Sequence, residues 1–171
     1  ERITRERVRQ IENDCLKKIR THGDFTLLEP SLQRLQLFFE ENGGAVRETR
    51  IAGSLFGVPL GDREGTNTAL FLLKLSGLAN RYKDDESFHA RWYLSTIKQD
   101  VFEPALSAFV VTLAKDTKVV ARDLFLEKFR GHLANTGIVV DNQKALLSYA
   151  GLSKYLDENP WGEWGHVVSP L

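Results

Sequence analysis

Hydrophobic residues recur at helical spacing through most of the chain, beginning with its first segment. Over residues 3–20, apolar residues fall at every third or fourth position and charged residues gather on the opposite side. Thr4 is a good N-cap, although Arg7 stands where a full capping box has Glu or Gln. The pattern predicts an amphipathic helix that packs one face and presents the other. The apolar stripe consists of Val8, Ile11, Cys15 and Ile19.

After an apolar connector at 21–30, helical spacing resumes and then gives way to alternation. The spacing predicts helices at 32–39, 46–56 and 66–75, the last capped by Thr66 or Asn67. Between 78 and 95, apolar and polar residues alternate on either side of an acidic turn, which predicts a two-stranded hairpin. Three helices followed by a hairpin is the order of a winged helix.

The same order returns in the second half of the chain. Helices are predicted at 100–114, at 119–133 and from a cap at Asp141 to 149, with Pro104 in the first turn of its helix. A second hairpin follows at 152–169, with its turn at 157–160 and Trp161, Trp164, Val167 and Val168 in the return strand. An offset of 74 aligns the two copies: Leu72, Leu73, Gly77 and Leu78 fall on Leu146, Leu147, Gly151 and Leu152.

We therefore predict a mainly α fold with three parts. Residues 1–21 form the first helix, and two tandem winged-helix units, each of three helices and a β-hairpin, occupy residues 22–96 and 97–171. Two like units in tandem fit this repeat better than a solenoid, which needs three or more repeats.

The charged face of the first helix carries the residue types that read DNA. Arg5, Arg7, Arg9 and Gln10 lie in the first two turns, and Arg and Gln make bidentate hydrogen bonds to guanine and adenine edges in the major groove. The N-terminus of a helix also attracts a phosphate. A merely solvated face is the alternative that spacing alone leaves open.

The order of residues in this helix resembles a known recognition helix. The strings I-T-R-E-R-V-R-Q-I-E and C-L-K-K-I-R resemble V-T-R-E-R-I-R-Q-I-E and A-L-x-K-L-R in region 4 of the primary (sigma-70) family of bacterial RNA polymerase sigma factors. In that family the helix reads the −35 promoter element. The resemblance implies promoter DNA and the RNA polymerase core as partners, and it implies that Val8, Ile11, Leu16 and Ile19 pack on preceding helices that lie outside this sequence. The DNA-facing positions that it implies are Thr4, Arg5, Glu6, Arg7, Arg9 and Gln10.

Composition adds a location and a charge asymmetry. The hydrophobic and charged fractions, 42% and 27%, are those of a globular protein, and no apolar run is long enough for a transmembrane helix. A single Cys fits a reducing cytoplasm, and the lack of Met leads us to expect a piece of a longer protein. Residues 1–20 carry a net charge of +3 and the remainder −3, so the basic character is concentrated in the first helix.

Catalysis, metal binding and a cofactor find no support in the sequence. The four His residues are scattered without zinc spacing, and no nucleophile elbow, phosphate-binding loop or dinucleotide motif occurs. The three Trp residues, Trp92, Trp161 and Trp164, are expected to fill core. The third helices of the winged units offer few base-reading residues, and their hairpin turns are acidic, so we expect these units to contact protein or to act as spacers.

These observations support one leading function and two others. The leading hypothesis is a sequence-specific DNA-binding transcription protein resembling a sigma factor. The second is a protein-interaction adaptor of winged helices associated with RNA polymerase, without promoter reading. The third, a DNA-targeting arm of a defence or restriction enzyme, needs a nuclease motif, and these residues contain none.

Overall fold

Seven helices and six short strands make up the described part of the chain, residues 4–59, 61–115 and 118–167 of a computed structural model. The predicted mainly α class is confirmed, with two small antiparallel sheets added. A short 3₁₀ helix, Gly23–Leu28, joins α1 to α2. The helices are α1 (Arg5–Thr21), α2 (Glu29–Glu41), α3 (Glu48–Phe56), α4 (Arg63–Ser76), α5 (Gln99–Lys115), α6 (Arg122–Asn135) and α7 (Gln143–Ala150). The strands are β1 (Ala45–Arg47), β2 (Ala79–Tyr82), β3 (Arg91–Leu94), β4 (Val120–Ala121), β5 (Leu156–Glu158) and β6 (Glu163–His166).

Side-chain caps define the starts of three helices. The Thr4 hydroxyl accepts a hydrogen bond from the Arg7 N–H at 3.2 Å, as the sequence predicts. The cap of α4 is Asp62, whose carboxylate accepts from Gly65, so the prediction of Thr66 or Asn67 is wrong. The cap of α7 is Asn142 rather than Asp141. Each of these three helices starts where a side chain satisfies an otherwise free N–H, and the sequence pattern misses two of the three capping residues.

Each sheet combines a hairpin with a strand from earlier in the same repeat. The strand orders are β1-β3-β2 and β4-β6-β5, all antiparallel. Val46 pairs with Trp92 and Val120 pairs with Trp164. The sequence pattern predicts that both Val residues lie in helices, and this is wrong, because pairing with a neighbouring strand stabilises an extended β-branched residue more than one added helical turn does.

The two repeats therefore have the same order of elements. Helix, strand, helix, helix, strand, strand runs from α2 to β3 and again from α5 to β6. Glu48 opens α3, Arg122 opens α6, and they lie 74 residues apart, the offset read from the sequence. Glu48 pairs with Arg81 of β2, whereas Arg122 pairs with Glu158 of β5. The same ion pair is thus present in both repeats with its charges exchanged.

The first sheet contributes to both hydrophobic cores. Val46 and Trp92 face the core of the first repeat, whereas Ala45 and Tyr93, their neighbours along β1 and β3, face the core of the second. Successive residues of a strand point to opposite faces, so a sheet packed on both sides joins the repeats. Packing is continuous across the sequence boundary predicted at residues 96 and 97.

The second hairpin differs from its prediction at the turn. Asp157 and Glu158 belong to β5, and the return strand begins at Glu163, so Trp161 lies in the turn and is 78% exposed. Its predicted burial is wrong, while Trp92 and Trp164 are core residues as predicted. Val168 lies outside the described residues. Pro104 lies inside α5 rather than in its first turn, because α5 begins at Gln99.

Candidate nucleic-acid interface

Helix α1 is held against the body of the protein through its second half. Leu16 is its one buried residue. Glu12 forms an ion pair with Lys74 of α4. The Arg20 guanidinium donates to two carbonyls at the end of α4, Leu75 O at 2.7 Å and Lys74 O at 3.0 Å. These contacts use carbonyls that a helix C-terminus leaves without intrahelical partners, so Arg20 fixes α1 and caps α4 together.

The first two turns of α1 make only local side-chain contacts. Arg9 donates to both Glu6 carboxylate oxygens, at 3.0 and 2.7 Å, and Arg7 donates to the side-chain amide oxygen of Gln10 at 3.4 Å. In the part of the chain that the structure describes, no side-chain hydrogen bond or ion pair joins these turns to another element. Arg5 makes none at all there. All six predicted DNA-facing residues are exposed, and they lie together on this projecting end: Thr4, Arg5, Glu6, Arg7, Arg9 and Gln10.

Glu6 moderates the positive charge of this end. The hydrogen bond from Arg9, and then the charge of Arg9, lower the pKa of Glu6, and the same contact raises the pKa of Arg9. Both side chains are well exposed, so the pair is weak and opens readily. Thr4 is occupied as the N-cap, which leaves Arg5, Arg7 and Gln10 as the most available groups for an incoming ligand.

The apolar stripe of α1 is not buried, contrary to the expectation that it packs. Val8 is 54% exposed, Ile11 44% and Ile19 39%, and Cys15 is exposed as well. The buried residue of the helix, Leu16, lies beside the stripe rather than in it. Within the described residues, the packing of α1 therefore involves one side of its second half alone.

The third helices of the two repeats differ in how far another part of the chain covers them. In the first repeat, Asn67, Phe71 and Lys74 of α4 line a cleft of about 670 Å³ whose opposite wall is α1. In the second, α7 lies against β1 and the turn before it. There Ser148 Oγ donates to Ala45 O at 2.7 Å, and the Tyr149 hydroxyl donates to Gly43 O at 2.6 Å. Helix α7 is therefore covered, whereas Asn67, Phe71 and Lys74 of α4 remain exposed, and Lys74 is engaged by Glu12 of α1.

The acidic loop of the first hairpin closes onto the second repeat. Lys154 pairs with Asp84 at 2.5 Å and also donates to Asp85 O. Burial would raise the pKa of Asp85, but the N–H groups of Phe88 and Ser87 and the Arg91 guanidinium lower it. This loop is thus committed to internal contacts, and its carboxylates disfavour a nearby phosphate.

Other kinds of site are not evident in the described residues. No group of three or more His, Cys, Asp and Glu residues there is arranged to hold a metal ion. None of the helices described is both long and apolar enough to cross a bilayer. Comparisons of the chain with protein-family models, with curated proteins and with solved structures found no match. Its own residues are therefore the basis for assigning a function.

Proposed function

We propose that this chain is a sequence-specific DNA-binding transcription protein that inserts the first turns of α1 into the major groove of promoter DNA. The observation that carries the proposal is the exposure of Arg5, Arg7, Arg9 and Gln10 on a helix end that forms no side-chain hydrogen bond or ion pair with another element of the described structure. The resemblance of this segment to region 4 of sigma factors supports the same function and adds the RNA polymerase core as a partner.

The chemistry of these side chains suits base reading. A guanidinium donates two parallel hydrogen bonds to a guanine edge, and a Gln amide makes a similar pair of bonds with adenine. Glu6 accepts from a cytosine amino group once Arg9 turns toward DNA. Because the Glu6–Arg9 pair is exposed, opening it costs little compared with the stabilisation that hydrogen bonds to the bases provide.

The two repeats support α1 rather than read DNA themselves. Their element order and the strand order, in which the last strand lies between the other two, support an assignment as winged-helix units. In such units the third helix commonly enters the groove. Here α7 is covered by the first repeat, and Lys74 of α4 is engaged by Glu12 of α1, which favours a scaffold that sets the position of α1.

Replacing Arg5, Arg9 and Gln10 together by Ala tests the proposal. A preferred duplex is first selected from a random pool with the wild-type chain, and its affinity is then compared with that of a scrambled duplex. We expect the variant to lose the preference, because each lost bidentate contact removes about 1 to 3 kcal/mol of discrimination. The matched control, Lys17→Ala with Lys18→Ala, also removes two positive charges from α1 and should keep the preference. An undiminished preference in the triple variant would contradict base reading by α1.

The second candidate is an adaptor that binds the RNA polymerase core without reading a promoter. The net charge of −3 after residue 20 and the covered third helix of the second repeat favour it. Gel shifts at graded salt discriminate between the two functions. Affinity that falls steeply with salt indicates phosphate contacts and supports the DNA-binding function. Duplex binding that is absent at low salt, together with retention on immobilised core polymerase, supports the adaptor.

A further inference from the structure

Two neighbouring arginines at the junction of β1 and α3 lack any partner in the described structure. Arg47 ends β1 and stands at the N-cap position of α3, and Arg50 lies in the first turn of that helix. Both are partly buried. Neither side chain makes a hydrogen bond or an ion pair with another described residue, and the Nε of Arg47 is shielded from solvent without an acceptor.

Other shielded cations of this protein are compensated, which sets these two apart. Four Lys or Arg side chains in the described ranges are at least partly buried. Arg91 is held by Glu103 and Asp85, and Lys154 by Asp84. Arg47 and Arg50 are the remaining two. A partly buried charge without a counter-charge costs folding free energy, so this pair is a feature that packing alone does not explain.

The two arginine charges act on each other, and that of Arg47 also acts on a histidine. Burial, and then the charge of Arg47, lower the pKa of Arg50, although a guanidinium remains charged at neutral pH. Glu48 N donates to Ala90 O, so the residue before Ala90, His89, lies opposite the first turn of α3. Burial and the charge of Arg47 lower the pKa of His89, which is therefore neutral at pH 7 and able to donate or accept a hydrogen bond.

The anionic groups near this cluster do not neutralise it. Asp84 and Asp157 act on His89 through their charges, as does Lys154. Asp84 is already engaged by Lys154, and the Asp157 carboxylate accepts from the Glu158 N–H rather than from either arginine. No side chain caps α3. Arg47 and Arg50 are thus two interacting guanidinium groups with a surplus of donors, next to a helix start that no side chain caps.

We propose that Arg47 and Arg50 form a binding site for a phosphate group. A phosphate oxyanion supplies the acceptors and the negative charge that both guanidinium groups lack, and Arg binds it in a bidentate manner. The phosphate belongs either to a free small ligand or to a nucleic-acid backbone. This site is separate from the base-reading face proposed for α1 and does not depend on it.

Thermal unfolding in sodium phosphate, compared with sodium chloride at matched ionic strength, tests the site for a free ligand. At a phosphate concentration ten times the Kd, we expect the Tm of the wild-type chain to rise by about 3 to 6 °C over chloride. Arg47→Gln with Arg50→Gln should abolish this phosphate-specific rise. Arg34→Gln, which changes an exposed arginine of α2, should retain it.

In chloride alone, the double variant should be at least as stable as the wild-type chain, because the mutual repulsion is gone. If the double variant fails to fold, the single variant Arg50→Gln is used in its place. Phosphate binding is then measured from the phosphorus NMR line width of inorganic phosphate, which the wild-type chain should broaden more than the variant does.

A second arm tests a nucleic-acid source. Binding to a duplex of random sequence is measured at graded salt for the same variants. Each lost contact to the DNA backbone lowers the steepness of log affinity against log salt by about 0.9. We expect a decrease of one or two such steps in the double variant and none in Arg34→Gln. A phosphate-specific effect in either arm that depends on Arg47 and Arg50 supports the site. Indifference of both arms to the double substitution overturns it.

Discussion

The exchanged ion pair predicts that the second repeat is stabilised by exchanging its charges. In the first repeat, Glu48 accepts hydrogen bonds from Arg81 at 2.5 Å and from the Trp92 indole Nε1 at 2.8 Å. In the second repeat, Arg122 occupies the position equivalent to Glu48, and its guanidinium has no acceptor for an indole N–H. The indole Nε1 of Trp164 is accordingly buried without a hydrogen bond to any described residue. Arg122→Glu with Glu158→Arg restores an ion pair there and supplies the missing carboxylate.

The expected gain follows from the indole rather than from the ion pair. Arg122 is 46% exposed and Glu158 26%, so their interaction contributes at most about 1 kcal/mol, and it is present with either polarity. A buried donor without an acceptor costs about 1 to 3 kcal/mol. We therefore expect the free energy of unfolding to rise by about 1 to 2 kcal/mol. For a chain of this length, that gain raises the Tm by roughly 2 to 8 °C.

Urea unfolding, followed by tryptophan fluorescence and by far-UV circular dichroism, measures the change. The mirror exchange in the first repeat, Glu48→Arg with Arg81→Glu, is the matched control. It leaves the Trp92 indole without its acceptor and should lower stability by a similar amount. If both exchanges change stability in the same direction, or if the first has no effect, the orphaned indole does not explain the asymmetry.

Two further predictions concern the interface and the acid limit of stability. Ser148→Ala removes the hydroxyl that donates to Ala45 O; it should cost about 1 kcal/mol in urea unfolding and leave one transition for both repeats, because they share packed residues. Burial would raise the pKa of Glu48, but hydrogen bonds from Arg81 and Trp92 lower it. The stability that it contributes is therefore complete above its unfolded pKa and is lost as pH falls through the folded value. Glu48→Gln should flatten the decline in stability below about pH 5, as measured by urea unfolding at graded pH.

The repeat and most of its helices are predictable from the sequence because they depend on local pattern. Leu73 and Leu146 lie at buried positions in α4 and α7, near the match that the offset of 74 gives. Trp92 and Trp164 likewise occupy equivalent strand positions in the two cores. Local periodicity carries this information, so a single chain is enough to recover it.

Features that depend on distant partners are beyond the sequence pattern. Val46 and Val120 form strands because a hairpin later in the chain pairs with them. Trp161 is exposed because the Asn159 side chain accepts from the N–H groups of Trp161 and Glu163 and thereby closes the turn. Two adjacent turn residues, Asn159 and Pro160, are the signal that favours a turn position for Trp161.

The candidate sites also differ in whether they depend on local pattern or on residues that are distant in sequence. The residues of α1 are adjacent in sequence, so a motif identifies them. Gly43 has a role that its neighbours in sequence do not reveal. It has a positive φ of 72°, and a Cβ there would lie only 2.5 Å from the Tyr149 hydroxyl. The lack of a side chain at Gly43 therefore allows α7 to approach the turn before β1. The lack of a described partner for Arg47 and Arg50 also emerges only in three dimensions.

The contacts of α1 set how a DNA duplex would meet the rest of the molecule. Arg20 ties α1 to α4, α4 packs on β2, and the first sheet packs on α7. Rotation of α1 relative to the second repeat would break these contacts, so α1 projects at a fixed angle. Residues after 20 carry a net charge of −3, so in the proposed complex most of this part of the chain would be repelled by a duplex held at the free end of α1. Such repulsion, together with attraction at that end, would favour a single docking geometry over non-specific coating of DNA.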